Sequence, residues 1–288
     1  MDSVAGPDFI CIGMQKAGTD WLYDQLQFHP DFWMPPIKEF HYFDRDEPRI
    51  GRAKTFLQMP PKRLEKRLSR RRPWDERDWQ FLEEASRLSG ALDIQRYAAL
   101  FRYKGDLLSG EITPGYSTLR EEIIARIGEE LPRTKIILLI RDPIARAWSQ
   151  ISMAQRHDNF DASVLDNPVS FAEFLRNSAL VGDRSFPTRI FERWSRCAPH
   201  LSIRFFLFDA IVDDADAARD MILGHLGADP NKKSGALPSD HNRKSQLPKL
   251  PLADENLGVL IEYFRNELRA CAALFGGSAR TWPAKYGL

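Results

Sequence analysis

At 288 residues, with 43% hydrophobic and 28% charged side chains, the chain can bury a substantial core, and one α/β domain spanning 1–288 is the natural expectation. A net charge of +1 gives no global attraction for nucleic acid or an acidic membrane, so any anion recognition has to be local. No apolar run approaches the roughly twenty residues that cross a bilayer and the N-terminus lacks a secretion-signal pattern, which points to a soluble, cytoplasmic protein.

Residues 9–14 form an apolar run of the kind a buried parallel strand shows, and Trp21, Leu22, Gln25 and Leu26 follow at helical spacing. Between them lies a tight turn in which Gly13 and Gly18 allow backbone amides to converge on an anion at the start of the helix, with Lys16 adding a mobile positive charge. The nucleotide triphosphatase form of such a loop needs Gly-Lys-Ser/Thr after four residues. Here the lysine precedes the second glycine, and Asp20 stands where another hydroxyl would be. An ordinary strand-turn-helix with a surface lysine is the plain alternative.

Prolines at 35 and 36 rule out a helix over residues 32–44 and favour an extended path into Lys38, Glu39 and His41. In a strand Glu39 and His41 would share one face and Phe40 and Tyr42 the other, either as a held polar pair or as a solvated edge. Residues 52–104 read as mainly helical and surface-lying. Their basic first half, Lys62, Arg63, Lys66, Arg67, Arg70, Arg71 and Arg72, is either a solvated face or a wall that attracts an acidic acceptor. Trp79, Leu82, Ile94, Tyr97, Leu100 and Phe101 supply the packing side.

A second strand is expected over 107–111, an amphipathic helix over 119–131 and a buried strand over 135–140, KIILLI, followed by a helix through Ala147, Trp148 and Ile151. This order implies right-handed crossovers and a parallel sheet, with Lys16, Glu111 and Arg141 emerging at its carboxyl end, where ligands bind. Helices near 170–177 and 188–197, a strand over 202–208 and a helix over 216–226 follow. Residues 229–251 read as a long binding loop and 253–275 as a closing helix. Cys11, Cys197 and Cys271, far apart and in apolar surroundings, read as reduced thiols, and no metal-ligand cluster is visible.

Several of these stretches resemble one family. QKAGTD is similar to the 5′-phosphosulfate loop of sulfotransferases that use 3′-phosphoadenosine 5′-phosphosulfate (PAPS), and KIILLIRDPIARAWSQ resembles their 3′-phosphate motif. The resemblance implies a P-loop-like three-layer α/β/α sulfotransferase fold with a central, mostly parallel sheet. It assigns Gln15, Lys16, Ala17, Gly18, Thr19, Asp20 and Trp21 to the phosphosulfate end of the donor, and Arg141 and Ser149 to its 3′-phosphate. A guanidinium fork and a serine hydroxyl suit phosphate oxygens, although Arg141-Asp142 alone could be a local salt bridge.

The likeness narrows to carbohydrate sulfotransferases of the heparan sulfate type and their bacterial relatives. KEFHYFD resembles their KE-x-H-F-F-D segment, GEITPGY their GEKTPxY, SFPTRIFERW the stretch that brings an aromatic to the adenine, and HNRKSQLPK the basic loop over the nucleotide. Phe186 is then an adenine contact or simple core packing, and Arg243 and Lys244 are nucleotide contacts. Asp20 and Ile112 depart from the family pattern.

The implied reaction moves a sulfuryl group to an acceptor hydroxyl or amine, a carbohydrate or other hydroxyl compound, and leaves 3′-phosphoadenosine 5′-phosphate (PAP), with no metal required. Lys16 suits the leaving oxygen. The base is Glu39 in the O-sulfating branch or Glu111 in the N-sulfating branch, with His41 and His157 open. A nucleotide kinase and a non-catalytic PAP-binding module are the rival readings.

Overall fold

The computed structural model describes residues 6–45, 50–68, 72–232, 237–241 and 250–288. The first strand, β1 (Phe9–Gly13), leads through the glycine turn into α1 (Thr19–Gln27). Four short helices follow: α2 (Gly51–Leu57), α3 (Pro61–Leu68), α4 (Glu76–Ser86) and α5 (Ile94–Ala99). The chain returns to the sheet as β2 (Gly110–Ile112), then α6 (Glu121–Glu130), β3 (Lys135–Ile140) and α7 (Pro143–Arg156). The distal part consists of α8 (Pro168–Asn177), α9 (Pro187–Cys197), β4 (Ile203–Leu207), α10 (Phe208–Asp213), α11 (Ala215–Leu226), α12 (Asp254–Phe275) and α13 (Trp282–Lys285).

The four strands form one parallel sheet in the order β2-β1-β3-β4. The central strands β1 and β3 are apolar because helices cover both faces, and Phe9, Ile10, Ile12, Ile137 and Leu139 are fully buried. Since all strands point the same way, the loops after β1, β2 and β3 gather at one edge, the arrangement expected for a ligand site.

The second strand begins later than residue 107. Leu107 and Leu108 leave the sheet's register because Leu108 pairs outside it: its amide donates to the Asp31 carbonyl and its own carbonyl accepts from Trp33. Trp79 is 37% exposed, packed edge-on against Trp74 instead of entering the core. Phe208, expected to end the fourth strand, opens α10.

The basic stretch divides. Helix α3 buries none of its residues, whereas Arg72 forks onto the buried Asp78 carboxylate at 2.9 and 2.5 Å and donates to the Met34 carbonyl, a structural tie. Arg70 and Arg71 lie outside the described residues. Among the described residues, no helix is long and apolar enough to cross a membrane. Cys11 and Cys271 are buried free thiols, and Cys197 is half-buried.

Asp142 has a structural role. Its Oδ1 accepts from the Ile144 and Ala145 amides, capping α7 ahead of Pro143, and its Oδ2 accepts from Lys285 Nζ and Tyr286 Oη near the chain's end. Arg141 is thereby left to turn elsewhere.

Candidate active site

The turn between β1 and α1 takes left-handed backbone at three positions: Gly13 (φ 140°), Lys16 (φ 70°) and Gly18 (φ 95°). Both glycines are also required by space. A Cβ on Gly13 would press on the Pro114 carbonyl at 3.2 Å, and one on Gly18 would meet the Phe208 ring at 3.1 Å. No side chain caps α1, so its N-terminal amides face the turn, where the helix dipole favours negative charge.

Two arginines from the strand-helix unit β3–α7 hold this turn. Arg141 donates to the Lys16 carbonyl at 2.8 Å and stacks over the Phe208 ring at 4.7 Å. Arg146 is fully buried and donates to the Gln15 carbonyl and side-chain oxygen, to the Leu180 carbonyl and to Ser185 Oγ. Burial, with Arg184 nearby, pushes its pKa down to about 9. Among the described residues, Lys16 Nζ reaches only the Met153 thioether, a weak acceptor, at 3.4 Å. Burial lowers its pKa; the Asp20 carboxylate opposes that shift, while Arg156, Arg141 and Arg146 add to it. This is a concentration of positive charge in partly desolvated surroundings, suited to a multiply charged anion. Ser149 sits one turn before Met153 on α7, on the face that meets Lys16.

The neighbouring segment carries the second half of the site. Glu39 and His41 do share a side, and Phe40 and Tyr42 are buried opposite, but through left-handed φ of 62° and 56° and not through a strand. His41 Nδ1 is 2.8 Å from Asp44 Oδ2, and its Nε2 is 3.6 Å from Glu39 Oε2. Arg52 donates to the Lys38 carbonyl at 2.8 Å and approaches Glu39 at 3.5 Å. Burial alone would raise the Glu39 pKa, yet His41, Lys38 and Arg52 outweigh it and hold the carboxyl at about 2. Burial likewise works against the His41 cation, and Asp44 and Glu39 reverse it, raising the imidazole above its ordinary value.

The β2 end supports this segment from beneath. The Phe40 amide donates to Thr113 Oγ1, Thr113 Oγ1 and Tyr97 Oη donate to Glu111, and the Tyr42 amide donates to Tyr116 Oη. Glu111 is thus enclosed beneath the segment, and burial pushes its pKa up to about 7 against the hydrogen bonds it accepts. An added Cβ on Gly115 would collide with the Asp44 carboxylate, which would have to turn aside.

The two halves meet at Lys38. Its ammonium donates to Asp20 Oδ1 at 2.7 Å and lies 3.4 Å from both Thr19 Oγ1 and Glu39 Oε1. Lys38, Asp44, Arg52, Arg146 and Gly115 were not singled out as site residues from sequence, although Lys38, Asp44, Arg146 and Gly115 lie inside the matching motifs.

Trp21 is buried and donates to the Ser239 carbonyl, and Gln25 to the Pro238 carbonyl, while Trp148 on α7 donates to Leu250. The chain flanking Arg243 and Lys244 is therefore anchored on α1 and α7; those two residues lie outside the described ones. Phe186 packs onto α12, 5.4 Å from Phe264 and 5.8 Å from Tyr263, with Arg189 over its ring, in a groove of about 500 Å³ lined by no residue of the glycine turn. His157 is exposed at the end of α7.

A glycine turn wrapped by strand-end arginines characterises more than one kind of anion-binding enzyme, but the sequence as a whole decides between them. The model of the sulfotransferase family matches residues 7–230. The chain belongs to the sulfotransferase family.

The matched span includes the turn, the Lys38–Asp44 segment, Glu111 and Arg141. The sulfotransferase of Alicyclobacillus acidocaldarius has the same fold, with a TM-score of 0.65 at 19% identity, covering 97% of this chain and 99% of that one. The sulfotransferase domain from the curacin biosynthetic pathway is similar at a TM-score of 0.51 and 15% identity, with 90% and 97% covered. No curated protein sequence matches the chain. The parallel sheet of this sulfotransferase is the one its family fold requires, with the turn at the end of a central strand.

Proposed function

We propose that this sulfotransferase moves a sulfuryl group from PAPS to a hydroxyl of a carbohydrate or glycoconjugate and releases PAP, in the manner of the heparan sulfate-type branch. The observation that carries the reading is the crowding of Lys16 by Arg141, Arg146 and Arg156 beside a carboxylate–imidazole–carboxylate row. One half is charged for a nucleotide bearing several negative groups, and the other can take a proton.

In this reading Arg141 and Ser149 hold the 3′-phosphate, and the turn amides and Thr19 hold the 5′-phosphosulfate. Lys16 stabilises charge growing on the leaving oxygen, as preorganised cations do in the related phosphoryl transfers. Glu39 receives the acceptor proton, while His41, fixed by Asp44, orients Glu39. Glu111, enclosed under Thr113 and Tyr97, acts by holding the Glu39–His41 segment in place and not as the base. Residues 1–288 act as one domain, a reading supported by the continuous hydrophobic cluster from β1 to α13.

Calorimetric titration with PAP, run beside ATP with magnesium, tests the donor. Micromolar PAP binding that weakens by about an order of magnitude or more in Arg141→Ala supports the reading, and labelled PAPS then identifies acceptors. Binding of ATP with magnesium but not PAP returns the turn to kinase chemistry. Tight PAP binding without transfer to any hydroxyl acceptor favours a binding module.

A further inference from the structure

The Lys38 ammonium stands between the two halves of the site, within 3.4 Å of the Thr19 hydroxyl on the donor side and of the Glu39 carboxylate on the acceptor side. Lys16 approaches from a different direction, its Nζ turned to Met153 on α7. The Lys38 side chain is only 11% exposed, so its charge is poorly screened by water. Its strongest partner is the Asp20 carboxylate at 2.7 Å, on a side chain that is 72% exposed and free to swing into solvent. Asp20 also acts electrostatically on Lys16, so one carboxylate serves two lysines of the site.

We propose that Lys38 is a catalytic residue that contacts the transferring sulfuryl group, and that Asp20 is an exchangeable counter-ion for it, displaced when the sulfuryl group arrives. This rests on the PAPS reading above. During transfer the bond from sulfur to the 5′-phosphate oxygen breaks, with its electron pair leaving on PAP. The acceptor oxygen bonds to sulfur, and its proton passes to Glu39. Lys38 neutralises charge on the sulfuryl oxygens, its hydrogen bond passing to them from Asp20. Because Asp20 competes for the Lys38 ammonium, it weakens donor binding there in proportion to the sulfuryl charge, whereas its influence on Lys16 falls on PAPS and PAP alike and cancels in their ratio. That gives a signature a structural role would not produce: a change in the PAPS-to-PAP ratio, since PAP lacks the sulfuryl group.

The test is acceptor-free calorimetry of PAPS and PAP against wild type, Lys38→Met, Lys38→Arg, Asp20→Asn and the Lys38→Met/Asp20→Asn double variant. Lys38→Met is expected to weaken PAPS by about tenfold or more while leaving PAP within about twofold, the range for losing one charge-assisted hydrogen bond. Lys38→Arg should recover part of the preference. Asp20→Asn, at an exposed position where folding is not at stake, should tighten PAPS more than PAP, and that difference should vanish in the double variant. Equal weakening of PAPS and PAP in Lys38→Met, or an unchanged PAPS-to-PAP ratio in both single variants, overturns the assignment. If wild type binds neither nucleotide, the donor reading itself fails and Lys38 falls with it; if wild type binds both and only the ratio fails to respond, the donor reading stands and Lys38 alone is refuted.

Discussion

Arg141 donates a hydrogen bond to the carbonyl oxygen of Lys16 at 2.8 Å, tying the end of β3 to the turn that follows β1. Two neighbouring strand ends are thereby tied together, and the left-handed Lys16 backbone is held by a charged donor. Loss of Arg141 removes a brace of the turn and, on the proposed reading, a phosphate-binding fork as well.

Arg141→Ala should therefore weaken PAP by about 10- to 100-fold, the range for losing charge-assisted hydrogen bonds. Lys16→Ala should abolish turnover with a smaller effect on PAP, because its charge is used as the leaving oxygen develops. Titration with PAP and single-turnover transfer from labelled PAPS check the two separately. Unchanged turnover in both variants would remove these residues from the site.

Glu39→Gln should slow chemistry by about 10²- to 10⁴-fold, the span of general-base contributions, while PAP affinity stays near wild type. It should also lower the His41 pKa, since Glu39 is one of the two carboxylates that raise it. An imidazole titration followed by NMR reads this directly. The accompanying stability terms have opposite windows. Glu39, depressed from 4.5 to about 2, contributes stability that is present above 4.5 and lost as pH falls toward 2. His41, raised above 6.5, contributes stability that is complete below 6.5 and lost as pH rises through its raised value.

Glu111 is the inverse carboxylate case. Its folded pKa of about 7 lies above the ordinary 4.5, so the folded state holds its proton more tightly, and stability falls as pH rises from 4.5 to about 7. Glu111→Gln should flatten that part of the stability profile in denaturant melts at a series of pH values. Activity should drop through a misplaced Glu39–His41 segment. A slope unchanged by the substitution would mean that Glu111 does not titrate as burial requires.

Gly115→Ala should cost about 1–3 kcal/mol of stability through overpacking and should push Asp44 off His41. The expected signature is a His41 pKa lowered toward its ordinary value in a protein that still binds PAP. A variant with normal His41 titration would show that the loop absorbs the methyl group.

Much of the architecture was readable because its signals are local. The 135–140 strand was placed to the residue, since only a strand covered on both faces is apolar throughout, and the glycine turn was marked by its two glycines and lysine. The sharing of a side by Glu39 and His41 was also foreseen, although the expected strand was replaced by alternating left-handed backbone. The second strand was set too early because Leu108 is as apolar as a strand residue, and its pairing with Asp31 and Trp33 depends on a segment some 75 residues away.

The sequence by itself determined the family, the parallel sheet and the place of the glycine turn, because these follow from residue types at fixed short spacing. Tertiary structure alone decided how those pieces meet. It enclosed Glu111, turned Phe186 onto α12, freed Arg141 by giving Asp142 to the α7 cap, and set Lys38 between Asp20 and Glu39. Each of these depends on which distant groups compete for one charge or one hydrogen bond, and that competition is settled only when the chain brings them within a few ångströms.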